Sequence, residues 1–187
     1  MSKISLNALV NGMSGKLGNA VLRRRGSRTV MASMPKERTS EFSIKEKAQQ
    51  ARFKRGAAYA KEAMKNPAIR AEYQQSAKKR ESNAFAIALG DFLKPPSIDQ
   101  IKTDGYTGKV NDIIAIQASD DFKVAAVKVA IRLPNDVLHE SGVATFDGQA
   151  LDWKYSITVA NASVTGTKIQ VIAMDYPGNE ASSEHVM

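Results

Sequence analysis

The tandem prolines Pro95-Pro96 separate two hydrophobic periodicities that one regular architecture cannot accommodate. Upstream, apolar residues recur with the 3.6-residue spacing of helices; from Ile98 onward they alternate with the period of two that marks strands. A proline pair cannot continue a helix, because it removes two backbone donors and pushes the preceding residue into an extended conformation. The pattern predicts an α+β chain of two domains, residues 1–96 and residues 97–187. Each part, about 90 residues long, can bury a modest core. Charge divides at the same place. Residues 1–96 carry 20 Lys+Arg against 7 Asp+Glu, whereas residues 97–187 carry 7 against 12, so the net charge of +8 conceals a basic half and an acidic half.

Composition removes several classes of chemistry. Without cysteine there is no disulfide, thiolate nucleophile or Cys-type zinc site. The two histidines, His139 and His185, fit no zinc-hydrolase spacing. The start, Met1-Ser2-Lys3-Ile4-Ser5, has no sustained apolar segment, and no later run reaches membrane-spanning length. The expectation is a cytoplasmic protein with no membrane partner.

In the basic half, residues 1–19 read as an irregular, Gly- and Ser-rich lead-in. Gly15-Lys16-Leu17 lacks the spacing and the Ser/Thr of a phosphate loop, so the glycines are read as turn residues. Residues 20–34 read as a β-hairpin turning at Gly26-Ser27, with Arg23, Arg24, Arg25 and Arg28 crowded near its tip. Guanidiniums held so close repel one another unless an anion lies among them; one or two alone would serve as edge protection against strand pairing. Ser43-Ile44-Lys45-Glu46 is a capping box, and a helix with the stripe Phe53, Ala57, Ala60, Met64 follows, its Lys54 and Arg55 outside that stripe. Asn66-Pro67 opens a second helix with Ile69, Tyr73 and Ala77 on its buried side. After Lys78-Lys79-Arg80, residues 84–89 read as a third helix or a continuation. Asn66 to Leu93, through Arg70-Ala71-Glu72-Tyr73 and Ala77-Lys78-Lys79-Arg80, resembles in composition the second and third helices of HMG-box proteins, although this half has no tryptophan. The run from Gly15 through the hairpin and helices is similar to uncharacterised proteins of Bacteroidetes bacteria and their mobile elements, which brings no known activity.

In the acidic half, strands are expected at Val110–Ala118, Val124–Leu133, Gly142–Phe146, Leu151–Ala160 and Lys168–Asp175, with Trp153 in the core and Asn135–Gly142 as a loop. Ala118-Ser119-Asp120-Asp121-Phe122-Lys123-Val124, Val127-Lys128-Val129, Trp153-Lys154-Tyr155 and Ala173-Met174-Asp175-Tyr176-Pro177-Gly178-Asn179 resemble the landmarks of bacterial immunoglobulin-like modules. That resemblance implies a β-sandwich used for interaction or spacing, usually without catalysis. In the last landmark Gly178 can take positive φ while the Asp and Asn side chains bond nearby amides. The carboxylates Asp120, Asp121, Asp175 and Glu180 offer oxygen ligands for calcium, but without a dedicated spacing they are read as turn chemistry, and no metal or cofactor is expected. His139 and Ser141 are read as a solvent-facing pair rather than a dyad.

No nucleophile–base pair, metal cluster or cofactor loop emerges, so a non-enzymatic protein is expected. Its binding residues would be Arg23, Arg24, Arg25, Arg28, Lys54, Arg55, Lys78, Lys79 and Arg80, and its partner a polyanion: an acidic protein surface or nucleic acid. Immunoglobulin-like modules without an export signal suit a component or cargo of a phage-like or contractile-injection particle, released within it. The alternative is an architectural, non-sequence-specific nucleic-acid binder; Tyr59 and Tyr73 could stack on bases, but their helical spacing makes them core residues first.

Overall fold

The structure, a computed structural model, describes residues 14–25, 28–37 and 39–187. Among these residues the chain is mixed α/β, with three helices and three antiparallel sheets. It divides into two compact units, Met1–Ala48 and Gln49–Met187.

In the first unit, β1 (Gly15–Leu17), β2 (Ala20–Arg25) and β3 (Arg28–Ser33) form a three-stranded meander. The hairpin expected over residues 20–34 is β2–β3, in register from Ala20 opposite Ser33 to Arg25 opposite Arg28. Its Gly26-Ser27 turn lies outside the described residues. The lead-in is more ordered than its composition suggests, since Lys16 pairs with Val21 and Gly18 makes the β1–β2 turn with φ 55°, a conformation glycine adopts without penalty. Among the described side chains of this sheet, Leu22 is buried.

Helix α1 (Ile44–Ala63) opens on the expected capping box: the Ser43 amide donates to Glu46 Oε2 at 2.9 Å, and the Glu46 amide donates to Ser43 Oγ at 3.3 Å. Asn66 caps α2 (Pro67–Lys79), accepting from the Ala68 amide at 3.0 Å. Asn83 caps α3 (Ala84–Leu93), which is therefore a separate helix, accepting from the Ala86 amide at 2.7 Å. The stripe anticipated on α1 is displaced. Phe53 is 51 % exposed, and the buried positions are Gly56, Ala60 and Ala63. A Cβ on Gly56 would lie 2.9 Å from Leu89 Cδ1 and 3.0 Å from Phe92 Cδ1, so small residues set how closely α1 meets α3.

Eight further strands form two four-stranded antiparallel sheets. One has β11 (Glu180–Val186), β10 (Lys168–Asp175), β6 (Val124–Arg132) and β7 (Leu138–Val143) in that order; the other has β4 (Ser97–Lys102), β5 (Ile113–Ser119), β9 (Asp152–Ser156) and β8 (Thr145–Asp147). Alternate residues of both sheets meet in one buried cluster: Ile114 and Ile116 from β5, Val127, Val129 and Ile131 from β6, Trp153 and Tyr155 from β9, and Ile169, Val171 and Ala173 from β10. Each such isoleucine or valine contributes about 1.5–3 kcal/mol by leaving water. The segment expected to be a loop at Asn135–Gly142 mostly belongs to β7, because Glu140 points inward and is satisfied there. Its carboxylate accepts from Tyr155 Oη at 2.6 Å and from the amides of Thr158 (3.2 Å) and Val159 (2.8 Å). Strands β4 and β11 lie outside the five strands that the sequence pattern predicts.

Candidate functional site

The anticipated basic residues lie on three kinds of support. On the meander, period-two alternation sets Lys16, Val21 and Arg23 on one face and Leu22 and Arg24 on the other, so neighbouring arginines do not form one patch. Arg23 and Arg24 are exposed. Arg25 and Arg28 sit opposite each other at the last rung, and their side chains lie outside the described residues. Lys54 and Arg55 are exposed mid-way along α1, and Lys78 and Lys79 are exposed in the last turn of α2. Arg80 differs. It follows buried Ala77 by three residues, and its Nη2 donates to the Asp121 carbonyl. That guanidinium braces a β turn as well as adding charge.

The more constructed site is polar and lies where α3 meets the turns of the two sheets. Tyr73, fully buried on α2, donates from its hydroxyl to Asp91 Oδ2 at 2.5 Å, and Tyr59 from α1 reaches the same hydroxyl at 2.9 Å. Asp91 is 2 % exposed on α3, and its other oxygen, Oδ1, has no hydrogen-bond partner. Two more carboxylates approach it. Asp120, in the β5–β6 turn, uses Oδ2 to accept the amides of Phe122 (3.0 Å) and Lys123 (2.9 Å), while its buried Oδ1 is unpartnered. Asp175 ends the inward-facing row of β10 and is 4 % exposed. One oxygen from each of Asp91, Asp120 and Asp175 lies within 4.8 Å of the other two.

The corner Asp175–Asn179 behaves as its residues predict. Gly178 has φ 88°, the Asn179 amide donates to Asp175 Oδ1 at 2.6 Å, and Asn179 Nδ2 donates to Asp175 Oδ2 at 2.7 Å. The same Nδ2 is 3.2 Å from the Phe92 carbonyl, which ties the turn to the end of α3. Around this core Phe122 stacks on Tyr73 with ring centroids 4.4 Å apart, and Tyr176 Oη donates to Glu72 at 2.9 Å.

Electrostatics follow from the burial. Loss of water pushes the Asp91 carboxyl up to about 7, with the Asp120 and Asp175 charges adding to the rise against the Tyr73 hydrogen bond. Desolvation also raises Asp175 above the usual carboxylate range, opposed by its bonds from Asn179. The Tyr73 phenol is pushed far up by burial and by its contact with Asp91, so it stays a donor. Two nearby cations are engaged elsewhere: Lys94 pairs with Asp121, and Lys123 pairs with Glu72 at 3.3 Å.

Of the four carboxylates considered as oxygen ligands, the fold brings Asp120 and Asp175 together. Asp121 turns away to Lys94, and Glu180 is exposed at the start of β11. Asp91 comes from 29 positions before Asp120, inside an apolar helix, and the sequence signal for it was only that a lone acid interrupts Ala84–Leu93. His139 and Ser141 are two residues apart on β7, where His139 is half-buried with Nε2 unpartnered and Ser141 is exposed. No protein-family model and no curated protein matches this chain. No helix among the described residues is long and apolar enough to cross a membrane.

Proposed function

We propose that the chain is a non-enzymatic binding or assembly protein that docks its basic N-terminal part on a polyanionic partner, as a component or cargo of a phage-like or contractile-injection particle. The observation that carries this reading is the meander: strands β1, β2 and β3 contain Lys16 and four arginines and no acidic residue, with Arg23 and Arg24 exposed and Arg25 opposite Arg28. Arginine forks suit carboxylate or phosphate oxygens, and cations placed directly opposite one another across a strand pair repel. The two sheets closing on one core support an immunoglobulin-like β-sandwich as the interaction or spacer module, and residues 1–96 and 97–187 are the functional halves in this reading. The particle itself rests on the resemblance of the C-terminal half.

Architectural nucleic-acid binding is the second reading, favoured by cationic residues on both strands and helices, including exposed Lys54, Arg55, Lys78 and Lys79. One experiment separates the readings. The full chain and a variant with Arg23, Arg24, Arg25 and Arg28 replaced by Ser are titrated with poly-glutamate, duplex DNA, single-stranded DNA and RNA across a salt series. The particle reading expects poly-glutamate to bind at about 0.15 M salt and the variant to lose that binding. Preference for duplex DNA, with log K falling by about 0.9 per phosphate contact against log salt, moves the assignment to nucleic acid. A chain that binds none of the four polymers is not a polyanion-docking protein.

A further inference from the structure

We propose that Asp91, Asp120 and Asp175 form a binding site for a hard divalent cation, calcium or magnesium, which clamps α3 to the β5–β6 and β10–β11 turns. Geometry supplies the first reason: one oxygen from each residue lies within 4.8 Å of the others. A calcium ion bound at about 2.3–2.6 Å spans ligand pairs up to about 5 Å apart, and magnesium, at about 2.0–2.1 Å, needs a slightly tighter set, so one ion can touch all three.

The second reason is independent of acidic clustering. Asp91 is 2 % exposed, and its Oδ1 has no donor, although Tyr73 is spent on its Oδ2. Buried Asp120 Oδ1 is likewise unpartnered, while its Oδ2 is occupied by the amides of Phe122 and Lys123. A fold that pairs one oxygen of each carboxylate with donors and leaves the other bare has oriented both groups. Bare carboxylate oxygens within reach of one another, out of water, repel; a dication turns that cost into attraction. Asp175 is presented by the Asn179 corner, whose bonds hold both of its oxygens in place while leaving each a further lone pair. Oxygen-only donors, with no histidine or thiolate, select calcium or magnesium over zinc or copper.

The ligands come from α3, the β5–β6 turn and the end of β10, so binding is linked to the packing of helix against sheet. Full-length protein stripped with EDTA and dialysed is melted alone and with 5 mM CaCl2 or 5 mM MgCl2. A rise in Tm of about 5 °C or more with either ion is expected if that concentration is on the order of a hundred times Kd. Terbium titrated into the same protein should luminesce on tyrosine excitation, since Tyr73 touches a ligand residue, and CaCl2 should quench the signal by displacement. Asp120→Asn should abolish both responses yet melt in EDTA at or above the wild-type temperature, because the amide can donate to Asp91. Asp121→Asn, one residue away and paired with Lys94, should respond as wild type does.

A wild-type protein with no Tm response and no terbium signal overturns the site and leaves a proton shared between Asp91 and Asp120. Equal responses from wild type and Asp120→Asn overturn it too. If Asp120→Asn fails to fold, the wild-type titrations decide alone.

Discussion

The two buried clusters of the Gln49–Met187 unit are made of different material. Between the sheets, isoleucine and valine from β5, β6 and β10 interlock around Trp153 and Tyr155 of β9, and most are fully buried. Among the helices the buried set is Ala60, Ala63, Tyr73 and Ala88, with Tyr73 the one large side chain. Alanine brings helices close but removes little apolar area from water. The helical segment compensates through a polar tie between its own helices, Tyr73 to Asp91, and through ties to the β turns: Tyr73 to Phe122, Glu72 to Tyr176, and Asn179 to the Phe92 carbonyl. The sheets are held by area, and the helices by a few directed contacts, so the two regions should fail under different perturbations.

Removing the helices altogether is the largest test. A fragment of residues 97–187 keeps every member of the inter-sheet cluster. It is expected to unfold in a two-state urea transition at a lower midpoint than the full chain, and an unstructured fragment would show that the sheets need the helical contacts to fold. Next is Ile116→Ala, which opens a cavity at a fully buried site and should cost about 2–5 kcal/mol by urea denaturation.

A pH series comes third and acts on the helical side. Asp91 faces Tyr73 on α2, with Tyr59 of α1 behind it, Asp120 from the β5–β6 turn, and Asp175 with Asn179 from the β10–β11 corner. Its folded pKa, raised to about 7, lies above the ordinary 3.8, so the folded state holds the proton more tightly. The resulting stability is fully present below about pH 4 and is lost as pH rises towards 7, at up to about 1.4 kcal/mol per pH unit. In EDTA, urea midpoints should therefore fall between pH 5 and pH 8, and Asp91→Asn should flatten that fall. Tyr73→Phe, which strips the donor from Asp91 Oδ2, should cost about 1–3 kcal/mol. Glu62→Gln marks the floor: its pair with Lys65 is largely exposed, and the change should stay within about 0.5 kcal/mol.

The readability of each element depended on whether its signal was local. Strand β10, alternating Ile169, Val171 and Ala173 between more exposed neighbours, was legible to its end residues, and the caps at Ser43 and Asn66 announced their helices. Strand β4 was hidden because Ile98 and Ile101 are three apart, an odd spacing that a bulge between Ile98 and Gln100 corrects only in three dimensions. Strand β11 alternates half-buried and exposed residues at a sheet edge, with Ala, Ser and His in the partly buried places, so its pattern lacks hydrophobic contrast. Phe53 drew the α1 stripe towards itself, although the packed face is made by the small residues Gly56, Ala60 and Ala63. At the carboxylate cluster, Asp120 and Asp175 were visible as candidates, but their meeting with Asp91 is a product of tertiary packing that no spacing encodes.

The Glu140 carboxylate has a consequence for exchange with solvent. It holds the amides of Thr158 and Val159, which follow the last residue of β9 and lie outside any strand. Loop amides ordinarily trade their protons for deuterium quickly, whereas these two can do so only when β7 releases its inward carboxylate. Their protection should follow that of the inter-sheet core, making this stretch of apparent loop one of the last parts of the molecule to open.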